Sequence, residues 1–186
     1  MSIYIPGCAN PPAPICNDCF TKELGGIRGI WVQKTTYTFL NIEDPNEWEA
    51  AICAGNIFVF PYTNGTLSVD PNTSQGYGNL PTTLDSFTYT LEFHEPNLVW
   101  NGSGLNGNVP FWNFIKNGAA YLVGWKTQTQ IWLSQVAAQF TPTTPIASDV
   151  KSKIDIDVKA MFVQEDMITP LNGTVIAPIW TACVDC

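Results

Sequence analysis

The sequence predicts a mainly β protein, an antiparallel β-sandwich or barrel with one or two short helices. Several segments alternate apolar and polar residues, which is the pattern of a strand with one buried and one solvated face. Apolar residues make up 45% of the 186-residue chain, so a full core is available, yet few segments carry helix start signals. Strands of this kind pack as two sheets or close into a barrel, with helices covering an edge or an end.

The two ends of the chain differ in composition from its middle, which indicates three parts. Residues 1–15 are rich in proline and small residues and lack periodicity. We therefore expect an extended arm with a cysteine pair over residues 1–19, a single β-rich domain over 20–180, and a second cysteine pair within 181–186.

The first elements of the domain are a strand region and a helix. Gly25 and Gly26 indicate a turn or bulge, and residues 27–40 then alternate as one or two strands. Asp44 is suited to cap a helix whose first position is Pro45, with acidic residues in the first turn. Gly55 follows as a stop signal, which predicts a helix near 45–54.

The clearest strand is residues 83–95, where Phe87, Tyr89, Leu91 and Phe93 share one face. The other predicted elements are, in chain order, a strand in "NIFVFPY" closed by Pro61, a long polar loop at 63–82, a helix at 109–117, strands at 119–126 and 129–140 that end before "TPTTP", a long strand at 150–163 and a return segment at 166–180.

The charge of the chain argues against a nucleic-acid-binding groove and is compatible with two other kinds of surface. The net charge is −8, so a groove that grips nucleic acid through clustered lysine and arginine is not expected. An acidic wall past which DNA slides is compatible with it. Charged residues make up only 13%, which fits either a surface packed against neighbours or an ordinary β domain with a Thr/Asn/Gly surface.

Targeting signals are not apparent in the sequence. The start has no basic residues followed by an apolar run, and no stretch of about 18 apolar residues occurs. We expect no membrane segment and folding in a reducing cytoplasm.

Catalytic motifs are equally sparse, and we expect that the protein is not an enzyme. The one histidine, His94, precedes Glu95 at a strand end, where it is either a general base or an ordinary polar turn residue. Asp155 and Asp157 lie two residues apart on one strand face, but the lysines that flank them favour a solvated surface. No phosphate loop, dinucleotide fingerprint or nucleophile elbow is present.

Seven tryptophans allow two interpretations. Exposed indoles could stack on sugars, but most lie within predicted strands and helices, which favours packing in the core or an interface. They are Trp31, Trp48, Trp100, Trp112, Trp125, Trp132 and Trp180.

Cysteine pairs with identical spacing stand near both chain ends, Cys16 with Cys19 and Cys183 with Cys186. Together they would supply the four thiolates of a tetrahedral zinc site, within one subunit or between neighbours. Disulfides formed late and free thiols remain alternatives. Cys53, on the apolar side of the predicted helix, is interpreted as a small buried hydrophobic residue.

Three stretches carry a resemblance to phage proteins. "CNDCFTKELGGIRGIWVQK" resembles the opening of small virion proteins of tailed phages of Bacteroidota, including the crAss-like phages. "DSFTYTLEFHEPN" followed by "FWNFIKNGAAYLVGWKTQTQIWL" is similar in layout to tail-tube and tail-hub proteins. The resemblance covers about residues 16–165, and the chain departs from it in its short length and its terminal cysteine pair.

The resemblance implies a structural virion protein that forms an oligomeric ring in a phage tail, hub or neck. Its partners would be copies of itself, other virion proteins and genomic DNA that passes through the lumen without specific binding. Glu92, Asp155 and Asp157, on the wet faces of the two long strands, are the candidates to face that lumen. The alternatives are a monomeric β-sandwich that binds a glycan or receptor through exposed tryptophan and the 63–82 loop, or a capsid decoration protein.

Overall fold

The computed structural model describes residues 26–60, 64–76, 78, 81–95, 98–100, 105–107, 109–116, 120–127, 130–143 and 156–171. Within these ranges the chain forms ten strands and two helices. They are β1 Gly29–Lys34, α1 Pro45–Cys53, β2 Ile57–Phe60, β3 Asn64–Ser74, β4 Thr83–Glu95, β5 Leu98–Trp100, β6 Leu105–Gly107, α2 Val109–Ile115, β7 Tyr121–Lys126, β8 Ile131–Leu133, β9 Gln139–Thr143 and β10 Ile156–Gln164.

Two antiparallel four-stranded sheets make up the body of the fold. The inner sheet has the order β2-β1-β7-β8, and the outer sheet has the order β3-β4-β10-β9. β5 and β6 form a separate two-stranded ribbon. The predicted mainly β fold with two short helices is confirmed, and it takes the form of packed sheets, a sandwich.

The core between the sheets follows the alternation read from the sequence. Tyr89, Leu91 and Phe93 of β4 are buried, and so are the even-numbered residues of β10 from Ile156 to Phe162. They pack against the inward residues of β1 and β7 and against Trp112 and Ile115 of α2. The predicted strand at 83–95 is therefore confirmed, as is the described part of the strand predicted at 150–163.

Helix α1 covers the opposite face of the inner sheet. Trp48 and Ala51 of α1 pack with Trp31, Ile57 and Ile131 as a second apolar cluster. β1 therefore lies between two apolar layers, and five of its six residues are buried. The alternation read from the sequence at 27–40 therefore does not correspond to one buried and one solvated face in β1, because both of its faces are covered.

The predicted start of α1 is confirmed by its capping contacts. Asp44 has extended backbone angles and its carboxylate accepts from the backbone N–H of Asn46, while Pro45 occupies the first turn. The helix ends at Cys53, and Gly55 follows with a φ of 65°, a conformation that glycine adopts readily.

The prediction of a long polar loop at 63–82 is wrong over most of that range. β3 occupies Asn64–Ser74 and pairs with β4 from Asn64 opposite His94 to Ser74 opposite Thr83, with a bulge at Asn72 and Thr73. Most of its residues other than Leu67 and Val69 are polar or small, and the far part of the strand is exposed. This segment is a strand because its backbone is hydrogen-bonded to β4, which its composition does not predict.

Two strand boundaries also differ from the prediction. The strand region at 27–40 ends at Lys34, where a turn begins. The strand predicted at 129–140 is two strands in different sheets, β8 and β9, and the chain changes sheet after Ser134. At this point the Ser134 hydroxyl, in place of a backbone carbonyl, accepts from the N–H of Val123, while the N–H of Ser134 still donates to the carbonyl of Val123.

The remaining boundaries differ by a few residues. β9 continues through Pro142, which is tolerated because β9 lies at the edge of the outer sheet. α2 ends at Ile115 rather than 117. The return segment is described as far as Leu171, whose N–H donates to the carbonyl of Ile131, and its remainder lies outside the described residues, as do the arm at 1–19 and the end at 181–186.

Of the helices in the described part of the chain, neither is long and apolar enough to span a membrane.

Candidate functional site

The outward face of the outer sheet holds a shallow groove of about 440 Å³. Its lining comes from all four strands, because residues directly opposite each other in the ladder point to the same face. The polar side chains that line it are Thr66, Glu92, His94, Thr141, Thr143, Asp157 and Lys159. We call this the sheet groove.

An ion pair crosses the sheet groove from β4 to β10. Glu92 and Lys159 are register partners, and Lys159 Nζ lies 3.5 Å from Glu92 Oε1. Both side chains are exposed, so the pair contributes about 0–1 kcal/mol to stability. Its main effect is to cancel charge locally.

A second pair lies next to the first. His94 and Asp157 are also register partners, and His94 Nδ1 contacts Asp157 Oδ1. A carboxylate in this position orients the imidazole through Nδ1, which is the arrangement of a general base held by an orienting group. Within the described residues no hydroxyl donates a hydrogen bond to His94, so the pair lacks an activated nucleophile there.

The structure brings together two of the three residues predicted to face a lumen. Glu92 and Asp157 both line the sheet groove, while Asp155 lies outside the described residues. Each of the two carboxylates has a basic residue opposite it on the neighbouring strand. Each carboxylate in the groove therefore contacts a basic side chain, and the surface is not purely acidic.

Sequence reasoning missed the partners of these carboxylates. Lys159 appears in the sequence only as a flanking residue on the same strand as Asp157, and His94 only as the neighbour of Glu95. The pairing depends on the register between β4 and β10, strands separated by six further elements. An alternating pattern predicts the face of a residue but not its partner across the sheet.

The described tryptophans pack in the interior, which confirms the packing interpretation for them. Trp31, Trp48, Trp112 and Trp125 are buried, and Trp132 is half-buried. The ring of Trp132 stacks on Trp125 with an interplanar angle of 3°. The side chains of Trp100 and Trp180 are outside the described set.

Of the cysteines considered in the sequence analysis, the structure describes Cys53 but none of the four predicted to bind zinc. Cys16, Cys19, Cys183 and Cys186 lie outside the described residues, so the zinc site stays a prediction. No group of three or more metal-binding side chains occurs in the ranges that the structure describes. The interpretation of Cys53 as a buried hydrophobic residue is wrong, because Cys53 is exposed at the end of α1 and disulfide-bonded.

Comparison of the chain with protein-family models, with curated proteins and with solved structures finds no significant match.

Proposed function

We propose that the chain is a structural virion subunit that assembles with copies of itself into a ring in a phage tail, hub or neck, around the passage for DNA. The observation that carries the proposal is the β3–β4 hairpin, whose far end reaches beyond the apolar core. We call residues 69–74 of β3 and 83–86 of β4 the hairpin tip.

The hairpin tip has little support from the rest of the fold. Leu91 and Phe93, in the other half of β4, are buried in the core, whereas Val69 is 42% and Leu84 is 54% exposed. An isolated two-stranded ribbon is only marginally stable in water. Exposed apolar side chains on such a ribbon favour contact with another chain.

The edge of the outer sheet gives the same indication. β3 is an edge strand, and within the described residues its outer side is bridged only where Gly65 meets Ile27. The remaining backbone N–H and C=O groups on that side can pair with a strand of a neighbouring subunit. A ring subunit uses an open edge and a projecting hairpin for contacts of this kind.

Charge supports a passage for DNA rather than a binding site for it. The chain carries a net charge of −8, and the one lysine in the sheet groove, Lys159, is paired with Glu92. A surface of this kind has no free basic cluster to hold phosphates, so DNA in contact with it would slide.

The alternative of a monomeric glycan-binding module loses support from the tryptophans. The indoles whose side chains are described are buried or half-buried, so no exposed tryptophan in that part of the chain offers a stacking platform for a sugar ring. The 63–82 region assigned to recognition is mostly strand β3. A decoration protein of the capsid would share the self-association or partner contacts, and electron microscopy separates it from a ring.

The experiment is negative-stain electron microscopy of the purified chain under reducing conditions, with the mass in solution measured in parallel. We expect rings with a central hole for the wild type. The double variant Val69→Lys/Leu84→Lys should shift the mass to a monomer, because it places charge on the hairpin tip.

Met167→Lys is the matched control, since Met167 is 66% exposed but lies outside the hairpin. Circular dichroism and thermal midpoints establish that all variants fold. A wild type that stays monomeric at every concentration would contradict the proposal, and so would a hairpin variant that assembles as well as the control.

A further inference from the structure

A slot of about 390 Å³ lies between β3, the edge strand of the outer sheet, and the strands β7 and β8 of the inner sheet. Its apolar lining consists of Ile27, Leu67, Trp125 and Trp132. The other described residues that line it are two glycines and two threonines, so none of the described lining carries a charge. We call it the edge slot.

Part of the apolar lining of the edge slot is accessible from outside. Leu67 and Trp132 are half-buried, whereas Ile27 and Trp125 lie deeper, at 6% and 2% exposure. The rings of Trp125 and Trp132 are parallel, with an interplanar angle of 3° and 6.2 Å between their centroids. The slot therefore leads from the surface to the rim of the core between the sheets, and an apolar side chain that entered it would be removed from water.

Basic residues adjoin the edge slot, and acidic residues stand on the hairpin tip. Arg28 follows Ile27 in the chain, and its backbone N–H donates to the carbonyl of Lys126 at 2.8 Å. The Arg28 side chain is exposed, as are Asp70 and Asp85 of the hairpin tip. The ion pairs of the described part of the chain include none of these three side chains. The slot and the tip are therefore complementary in charge, and each presents apolar side chains.

The hairpin tip cannot enter the slot of its own chain. Leu84 lies opposite Thr73 of β3, whereas Leu67 of the same strand lines the slot. The strand from Leu67 to Thr73 spans about 20 Å, and its pairing with β4 keeps the tip at that distance. Only the tip of a second copy can therefore reach the slot.

We propose that the edge slot receives the hairpin tip of a second copy of the chain, with Leu84 against the indole of Trp132 and the aspartates of the tip near Arg28. The tip and the slot are different surfaces, so each subunit inserts one tip and receives another. Head-to-tail contacts of this kind form a ring when the rotation between subunits closes. The inference rests on the ring assembly proposed above and names the surface that receives the hairpin.

The test mixes two variants that are each defective on one side of the contact. The tip variant is Val69→Lys/Leu84→Lys, which keeps its slot. The slot variant is Thr66→Trp, because Thr66 is exposed at the slot and an indole there would block the opening. Native mass spectrometry and light scattering measure the masses. We expect each variant alone to be a monomer and the mixture to form a one-to-one dimer, in which the tip of the slot variant occupies the slot of the tip variant.

Gln139→Trp is the matched control, because it places the same ring at an exposed position of β9, the other edge strand of the outer sheet, and should assemble like the wild type. Arg28→Glu should weaken assembly about tenfold, whereas Lys116→Glu, also exposed, should leave it unchanged. Circular dichroism establishes which variants fold. If Thr66→Trp does not fold, Arg28→Glu replaces it in the mixture, at a concentration where that variant alone is monomeric.

The outcomes separate this inference from the proposed ring. A mixture that stays monomeric while the wild type forms rings would overturn the inference alone, since the ring would then use another contact, for example tip against tip. A wild type and a mixture that both stay monomeric would overturn both. A one-to-one dimer in the mixture, with a wild type that forms open filaments, would support the slot and contradict the ring. Equal assembly of Arg28→Glu and Lys116→Glu would overturn the proposed role of the charges.

Discussion

Gly124 lies beneath the indole ring of Trp31 in the inner sheet. The two residues are register partners of β7 and β1, so their side chains point to the same face. A Cβ atom at position 124 would overlap three carbons of the Trp31 ring, far inside normal contact distance. The absence of a side chain at this position is therefore what lets Trp31 lie flat on the sheet under α1.

We predict that Gly124→Ala destabilises the fold by about 1–3 kcal/mol, the usual cost of forcing extra volume into a packed core. Urea unfolding measures the change. In the background of Trp31→Leu the same substitution should cost clearly less, because the flat ring is gone. An equal cost in both backgrounds would mean that strain at Gly124 arises from something other than the indole.

At the scale of elements, Glu47 joins α1 to the loop that follows β1. Its carboxylate accepts from Leu40 and Asn41 of that loop and from the Tyr37 hydroxyl. The two backbone hydrogen bonds hold the pKa of Glu47 below its usual value of 4.5. Burial, with a further effect from Glu47, raises the pKa of Tyr37 from 10.0 to about 12.

These shifts predict the pH dependence of stability. The depressed pKa of Glu47 means that its stabilisation is present above pH 4.5 and is lost as the pH falls through the lowered value. The raised pKa of Tyr37 means that its stabilisation is complete below pH 10.0 and is lost as the pH rises toward about 12.

Glu47→Gln should therefore remove the acid-side loss and lower the pKa of Tyr37 toward 10.0, though not fully, because burial remains its largest cause. Urea midpoints across pH measure the first effect, and phenolate absorbance compared with Tyr37→Phe measures the second. Glu49→Gln, an exposed neighbour on α1, is the control and should change neither. An unchanged acid limb in Glu47→Gln would contradict this account.

The elements that the sequence predicts well are those whose signals are local. α1 is recognisable because Asp44 and Pro45 favour a helix start by their own chemistry, and β4 because its apolar residues face one core. β3 is not recognisable, since its polar residues belong to a strand only through their ladder with β4. The break between β8 and β9 depends likewise on Ser134 bonding to Val123 of β7.

The features of the candidate site likewise divide into those that the sequence predicts and those that it does not. The exposed positions of Glu92 and Asp157 follow from alternation, whereas their partners Lys159 and His94 follow from register between distant strands. The edge slot has no sequence signal either, because Leu67 and Trp132 belong to strands of different sheets and line it together only in the folded chain.

For the whole molecule, the layers predict a gradient of local stability. β1 is hydrogen-bonded on both sides, to β2 and β7, and lies between two apolar layers, whereas the hairpin tip has neither kind of cover. In the unassembled chain, amide hydrogen exchange should be slowest in β1 and fastest in the hairpin tip.

Exchange measured by NMR or mass spectrometry checks this gradient. Assembly through the hairpin would slow exchange at the tip and leave β1 unchanged. Equal protection of β1 and the hairpin tip in the monomer would contradict the assignment of β1 as the central strand.

The central position of β1 also has a consequence during synthesis on the ribosome. β1 leaves the ribosome well before its partner β7, which begins only at Tyr121, so one side of an apolar strand stays unpaired while the intervening chain is translated. The β3–β4 hairpin joins strands that are neighbours in the sequence, so it can form in that interval at a smaller entropic cost than the pairing of β1 with β7. Until β7 has been translated, the unpaired edge of β1 is an apolar surface at which the nascent chain can aggregate. The length of this interval depends on the rate of translation.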